Sequence, residues 1–113
     1  MSTSASIGLE NEDGSVRGVR VNWDGYLTHV GRILKDNYNT PAKINKLMDG
    51  GGDIRSIEEA LEEVEYYDDG DSSCTRYACE DEFFSKNSED FNYIFSKGKW
   101  FYTQYNRHEI KLV

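Results

Sequence analysis

Metal and thiol chemistry have little to work with here, because the 113 residues contain only two cysteines and two histidines. Cys74 and Cys79 stand at C-x4-C rather than the C-x2-C of a zinc knuckle, and His29 and His108 are distant from them in sequence. The spacing points to reduced thiols, no metal site and no cofactor; a local disulfide would require oxidation or export. No apolar run approaches the roughly 20 residues that span a bilayer, and the opening "MSTSASIG" has no basic stretch followed by an apolar one. The expectation is a cytoplasmic protein. The patterns that carry catalysis are also missing: there is no G-x-S-x-G, H-E-x-x-H or Walker loop. The glycine triplet Gly50–Gly52 lies between Asp49 and Asp53, which would repel a phosphate. The reading is that the chain is not an enzyme.

What the chain does have is acid and aromatic. Charged residues make up 30% and aromatics 13%, a combination that marks a folded domain, since disordered chains are poor in aromatics. A single domain over residues 1–113 is expected, long enough to bury a core without staples. The net charge of −8 is concentrated: residues 58–82 hold eleven acids against Arg76 alone. Such a segment repels nucleic-acid phosphates and attracts basic partners, although a charge run is also the ordinary solvated face of a helix.

The apolar pattern places the elements. Ile7 and Leu9, a polar "NEDG" turn, and Val16 to Trp23 read as a hairpin, with Gly18 marking a bulge. Asp24 then stands at an N-cap position, and Leu27, Val30, Leu34 and Tyr38 follow at helical spacing, predicting a helix over about 25–38 with Trp23 facing the core. Thr40-Pro41 starts a second helix, to about residue 49, with Ile44, Leu47 and Met48 buried. Ser56 and Glu59 stand in capping-box register, and Ile57, Leu61 and Val64 make one face of a third helix, 57–67, whose other face is anionic. Residues 68–82 read as an acidic loop, in which Asp68, Asp69 and Asp71 fall short of a calcium-loop spacing. Phe91, Tyr93 and Phe95, "SKGK", then Trp100 and Tyr102 make a closing hairpin. The fold expected is α+β: an antiparallel sheet built from the N-terminal and C-terminal hairpins, with about three helices packed on one face.

Several of these stretches also carry a resemblance. Ser6-Ile7-Gly8-Leu9-Glu10, Trp23-Asp24-Gly25-Tyr26, Val30-Gly31-x-x-Leu34, Tyr38 and Gly52-Asp53-Ile54-x-Ser56 resemble a family of small proteins from bacteriophages and bacterial mobile elements. The likeness covers about residues 4–57, and "YIFSKGKWFY" is similar to the family's closing hairpin; residues 66–90 do not align. The family often has Pro where this chain has Leu27. The resemblance implies no catalytic residue. It implies a phage accessory protein of the bacterial host cytoplasm.

Together these readings predict a protein that binds and inhibits a host or bacterial-defence protein with a basic surface, by nucleic-acid mimicry in its most specific form. The candidate partner-binding residues are Glu58, Glu59, Glu62, Glu63, Glu65, Asp68, Asp69, Asp71, Glu80, Asp81 and Glu82. The alternative is binding or sequestration of a small nucleotide signal, with Arg17, Arg20, Trp23, Tyr26, Arg32, Trp100 and Tyr102 as ligand-binding candidates. Neither direct nucleic-acid binding through the acidic segment nor membrane binding is expected. The cysteine spacing predicts that both thiols titrate as free under reducing conditions and that elemental analysis finds no stoichiometric zinc; one zinc per chain would contradict it.

Overall fold

A computed structural model describes residues 3–50, 53–66, 74–87, 89–104 and 110–113. Among them eight strands form one sheet: β1 (Ala5–Glu10), β2 (Val16–Val21), β3 (Ile54–Ser56), β4 (Glu65–Tyr66), β5 (Thr75–Tyr77), β6 (Phe91–Ser96), β7 (Lys99–Gln104) and β8 (Lys111–Leu112). The order is β4-β3-β2-β1-β6-β7-β8, and β5 also pairs with β2. Strand β2 is fully occupied by β1 on one side, so β3 and β5 share its other side, at Val21 and at Val16–Gly18 respectively.

The class is α+β, and both hairpins are present and antiparallel. The sheet, however, is mixed: β1 runs parallel to β6, and β2 parallel to β3. The physical cause is visible where β1 and β6 begin. Ser4 donates its backbone N–H to Asp90 and its hydroxyl to Glu89, and accepts from Phe91 N–H, while the Ser6 hydroxyl donates to Asn92 at 2.7 Å. These contacts hold the two strand starts side by side, so both strands run the same way.

Pairing in this register puts Ala5, Ile7 and Leu9 beside Phe91, Tyr93 and Phe95 on one face. Helices α1 (Arg32–Asn37) and α2 (Pro41–Asp49) cover that face with Val30, Ile33, Leu34, Ile44, Leu47 and Met48. Thr40 caps α2 by accepting from Lys43 N–H, with Pro41 at the first helical position, as expected. The first helix opens with a π-helical turn, Leu27–Gly31, and Asp24 is not its cap: Tyr26 occupies that position without a side-chain hydrogen bond.

Two further expectations are corrected. The helix expected over 57–67 does not form at residues 57–66, Tyr67 lying outside the described residues; the chain makes a single 3-10 turn at Leu61–Glu63 and then pairs as β4. Five glutamates between positions 58 and 65 oppose helix formation by mutual repulsion. Burying Ile57 and Val64 while leaving Leu61 at 38% exposure does not need one continuous helical face. Nor do all the helices share one face, for α3 (Glu80–Lys86), which the pattern did not reveal, packs on the other.

That second face explains Gly18. No bulge interrupts β2; Gly18 stands directly opposite Gly8 across the β1–β2 ladder. The fully buried Phe83 ring of α3 lies over the pair, edge-on to Tyr77 at 5.3 Å. A Cβ on Gly8 would come within 2.9 Å of the Phe83 ring, and one on Gly18 within 2.9 Å of the Tyr77 ring. The paired glycines therefore form the floor on which α3 rests. Beside this contact, Ser6, Asn92 and Thr103 make a buried polar row across β1, β6 and β7, with Asn92 donating to Thr103 at 3.4 Å and to Glu89 O at 3.2 Å. Gly8→Val should lower the unfolding free energy by about 1–3 kcal/mol through overpacking, measured by urea denaturation.

Candidate functional site

The acidic segment does not assemble as one surface. Glu80, Asp81 and Glu82 occupy the first turn of α3, where carboxylates are stabilised by the helix N-terminus, so the helix itself accounts for them. Burial, reinforced by Glu10 and Asp81, pushes the Glu80 carboxyl up from its ordinary value. Glu58, Glu59, Glu62 and Glu63 belong to the stretch between Ile57 and Val64, which are buried in the core under α1 and α2, whereas Glu65 on β4 alternates with Val64 and Tyr66, which pack into that core. Asp68, Asp69 and Asp71 fall outside the described residues.

The 58–65 stretch is held at both ends, at Glu58 by side-chain hydrogen bonds and at Glu65 by the pairing of β4 with β3, and is exposed between them at Leu61–Glu63. The Tyr38 hydroxyl donates to Glu58 O at 3.0 Å, the Ser56 hydroxyl donates to Glu58 Oε1, and Arg32 lies 3.8 Å from Glu59. Glu62, Glu63 and Glu65 make no ion pair with any described residue, and exposed Leu61 precedes them. Strand β4, which carries Glu65, is the last strand on that side of the sheet.

The candidate ligand residues are dispersed. Arg17 turns to α2, donating to Asn45 and Asp49; Arg20 lies on the opposite face, 3.2 Å from Glu89; Arg32 faces Glu59. Trp100 and Tyr102 are core residues, 4% and 9% exposed, and the Trp100 indole donates to Tyr38 O at the end of α1. Neither forms an exposed stacking platform. An open cleft of about 570 Å³ lies between the β1–β2 turn and β5, with Arg17, Arg76 and Cys74 on its wall beside Asp13 and Glu12. Arg17 and Arg76 are cross-strand neighbours there, and each is already neutralised, by Asp49 and Asp13 respectively. Cys74 lines the cleft but points its thiol at Met48 O, and burial pushes that thiol up against the opposing pull of Arg17. Both cysteines are free thiols, and among the described residues no group of three or more His, Cys, Asp or Glu could hold a metal ion.

Trp23 and Tyr26, by contrast, are exposed, at 47% and 41%. Trp23 does not face the core as its alternation predicts, since β2 ends at Val21 and the chain turns before reaching it. The turn is anchored from below. Gly25 N–H donates to Thr3 O at 2.8 Å, and the buried Tyr93 hydroxyl donates to Gly25 O at 2.8 Å. A Cβ at Gly25 would meet Ser4 C and O at 2.8 Å, so only glycine allows this approach. Asp24 is left-handed, at φ 55°, and accepts from the Tyr26 hydroxyl. The alternation had no means of finding this, because the residues following a strand lose its facing rule.

No family model matches the chain, and no curated protein or solved structure matches it. No helix among the described residues is long and apolar enough to cross a membrane.

Tyr38 gives the acidic stretch a measurable pH response. Burial first, then Tyr66, Glu62 and Glu58, push its hydroxyl up to about 12 from 10. A neutral acid whose folded pKa is raised contributes stability that is complete below the unfolded value and lost as pH rises through the folded one. Burial likewise raises Tyr93 and Tyr66. The urea midpoint should therefore fall progressively between pH 10 and 12, and Tyr38→Phe should lessen that fall.

Proposed function

We propose that this chain is a phage-type accessory protein that binds, and thereby inhibits, a host or bacterial-defence protein through an acidic surface centred on Glu59, Glu62, Glu63 and Glu65. The observation that carries the reading is the make-up of this stretch. An exposed leucine, Leu61, stands among exposed carboxylates in the 3-10 turn that leads into the short strand β4, the combination of apolar contact with charged rim found in protein interfaces. The field of a −8 chain favours encounter with a basic protein over any phosphate-bearing ligand. Mimicry of a nucleic acid on a basic groove is the most specific form of this proposal.

The ligand-sequestering alternative lacks comparable support. Its arginines point to different faces and each lies against a carboxylate.

Replacing Glu59, Glu62, Glu63 and Glu65 by Lys alters exposed positions only, and circular dichroism and urea unfolding should show the fold retained. Wild-type protein should capture a basic protein from bacterial lysate, with capture weakening steeply as salt rises. The quadruple variant should associate about 10-fold more slowly or worse. Equal capture with an unchanged salt response would remove this surface from consideration.

A further inference from the structure

We propose that the Trp23–Tyr26 corner is an anchor for a cationic side chain, an arginine of the basic partner, an inference that rests on the acidic-surface reading and adds to it a defined contact point. Two exposed aromatics flank a carboxylate: Trp23, Asp24 and Tyr26 lie within four residues, on a turn bonded from below through Gly25 to Thr3 and Tyr93. Asp24 Oδ1 accepts from the Tyr26 hydroxyl at 3.2 Å, which orients both groups, and among the described residues none donates to the second oxygen, the position for an incoming N–H donor. The left-handed backbone at Asp24 is held by these surrounding bonds, and such conformations persist where the structure around them is rigid.

The chemistry selects one class of occupant. An indole face attracts a guanidinium through its quadrupole, and an adjacent carboxylate completes the contact by a charge-assisted hydrogen bond. A nucleobase would also stack on Trp23, but its phosphates would meet Asp24 and the field of a −8 chain. An uncharged apolar segment would bury the Asp24 carboxylate without a partner. A guanidinium satisfies both the ring and the charge.

The corner and the acidic stretch also belong to one side of the molecule. Strand β3 runs parallel to β2 from the Val21–Ile54 pair, so the chain leaving Ser56 emerges at the end of the sheet where β2 turns into the corner. Arg32, in the first turn of α1, then reaches Glu59. A basic partner steered by Glu59, Glu62, Glu63 and Glu65 therefore arrives beside a rigid aromatic anchor, and rigid Trp and Tyr residues make effective interface centres because little entropy is lost on contact.

The test uses a capped Arg-Gly-Arg-Gly-Arg-Gly peptide and its citrulline counterpart, which keeps the shape and removes the charge. Binding is followed by calorimetry and by tryptophan emission, in which exposed Trp23 is distinguished from buried Trp100 by the Trp23→Ala variant. The arginine peptide should bind and shift the emission, and the citrulline peptide should not. Trp23→Ala should weaken binding about 10-fold with an unaltered salt slope, and Trp23→Phe should recover part of it. Trp23→Ala binding as tightly as wild type, equal binding of the citrulline peptide, or no binding of the arginine peptide would each overturn the anchor. The Glu59, Glu62, Glu63 and Glu65 to Lys variant separates the two readings. Loss of the salt slope with the Trp23 emission shift retained supports both. A salt slope unchanged in that variant, with Trp23→Ala still impaired, discards the acidic surface and keeps the anchor.

Discussion

Everything on both faces of this molecule is arranged around the parallel pairing of β1 with β6. The pairing joins residues 86 positions apart, and Ser4, Ser6, Glu89, Asp90 and Asn92 hold it in register from one end. Once Ala5 lies beside Phe91, the alternation of both strands is in phase. Ile7, Leu9, Tyr93 and Phe95 then present one apolar face to α1 and α2, and Gly8 and Ile94 present the other to α3. A shift of one residue would turn both sets the wrong way, burying Ser6 and Asn92 against aliphatic side chains without their mutual bond.

From this pairing follows the position of the corner. The Tyr93 hydroxyl reaches Gly25 from within the core, and the Thr3 carbonyl at the start of β1 takes the Gly25 N–H. A surface turn bearing two aromatics is thus bonded to the most deeply buried strand of the sheet. Its rigidity comes from the core, and its exposure comes from the end of β2 one residue before the turn begins.

The acidic segment illustrates a different constraint. The pattern of Ile57, Leu61 and Val64 predicts a helix with these glutamates on its polar side, and their mutual repulsion in that form is what the extended chain relieves. Acid in the first turn of α3 serves the seven-residue helix that carries it, whereas Glu62 and Glu63 stand in a single 3-10 turn of three residues and Glu65 on a strand, where there is little or no helix dipole to complement. The same residue type, within one contiguous run, therefore has two different physical meanings, and only the position of each carboxylate relative to a helix end separates them.

Much was legible from local pattern alone. The alternation in Val16–Val21 and Phe91–Ser96, the Thr40-Pro41 helix start and the stripe of Ile44, Leu47 and Met48 depend on interactions a few residues apart, and period and capping chemistry specify them directly. What the pattern could not contain was direction and neighbour. A period of two reads the same in a parallel and an antiparallel strand, so the β1–β6 pairing was hidden until Ser4 and Asn92 met their partners. It was likewise tertiary structure that decided the roles of Gly8 and Gly18, spent on a ring from α3. It also sent Trp100 and Tyr102 into the core while leaving Trp23 and Tyr26 outside it, because an aromatic residue is buried by whatever strand or helix arrives over it, and that arrival is not written next to it in the chain.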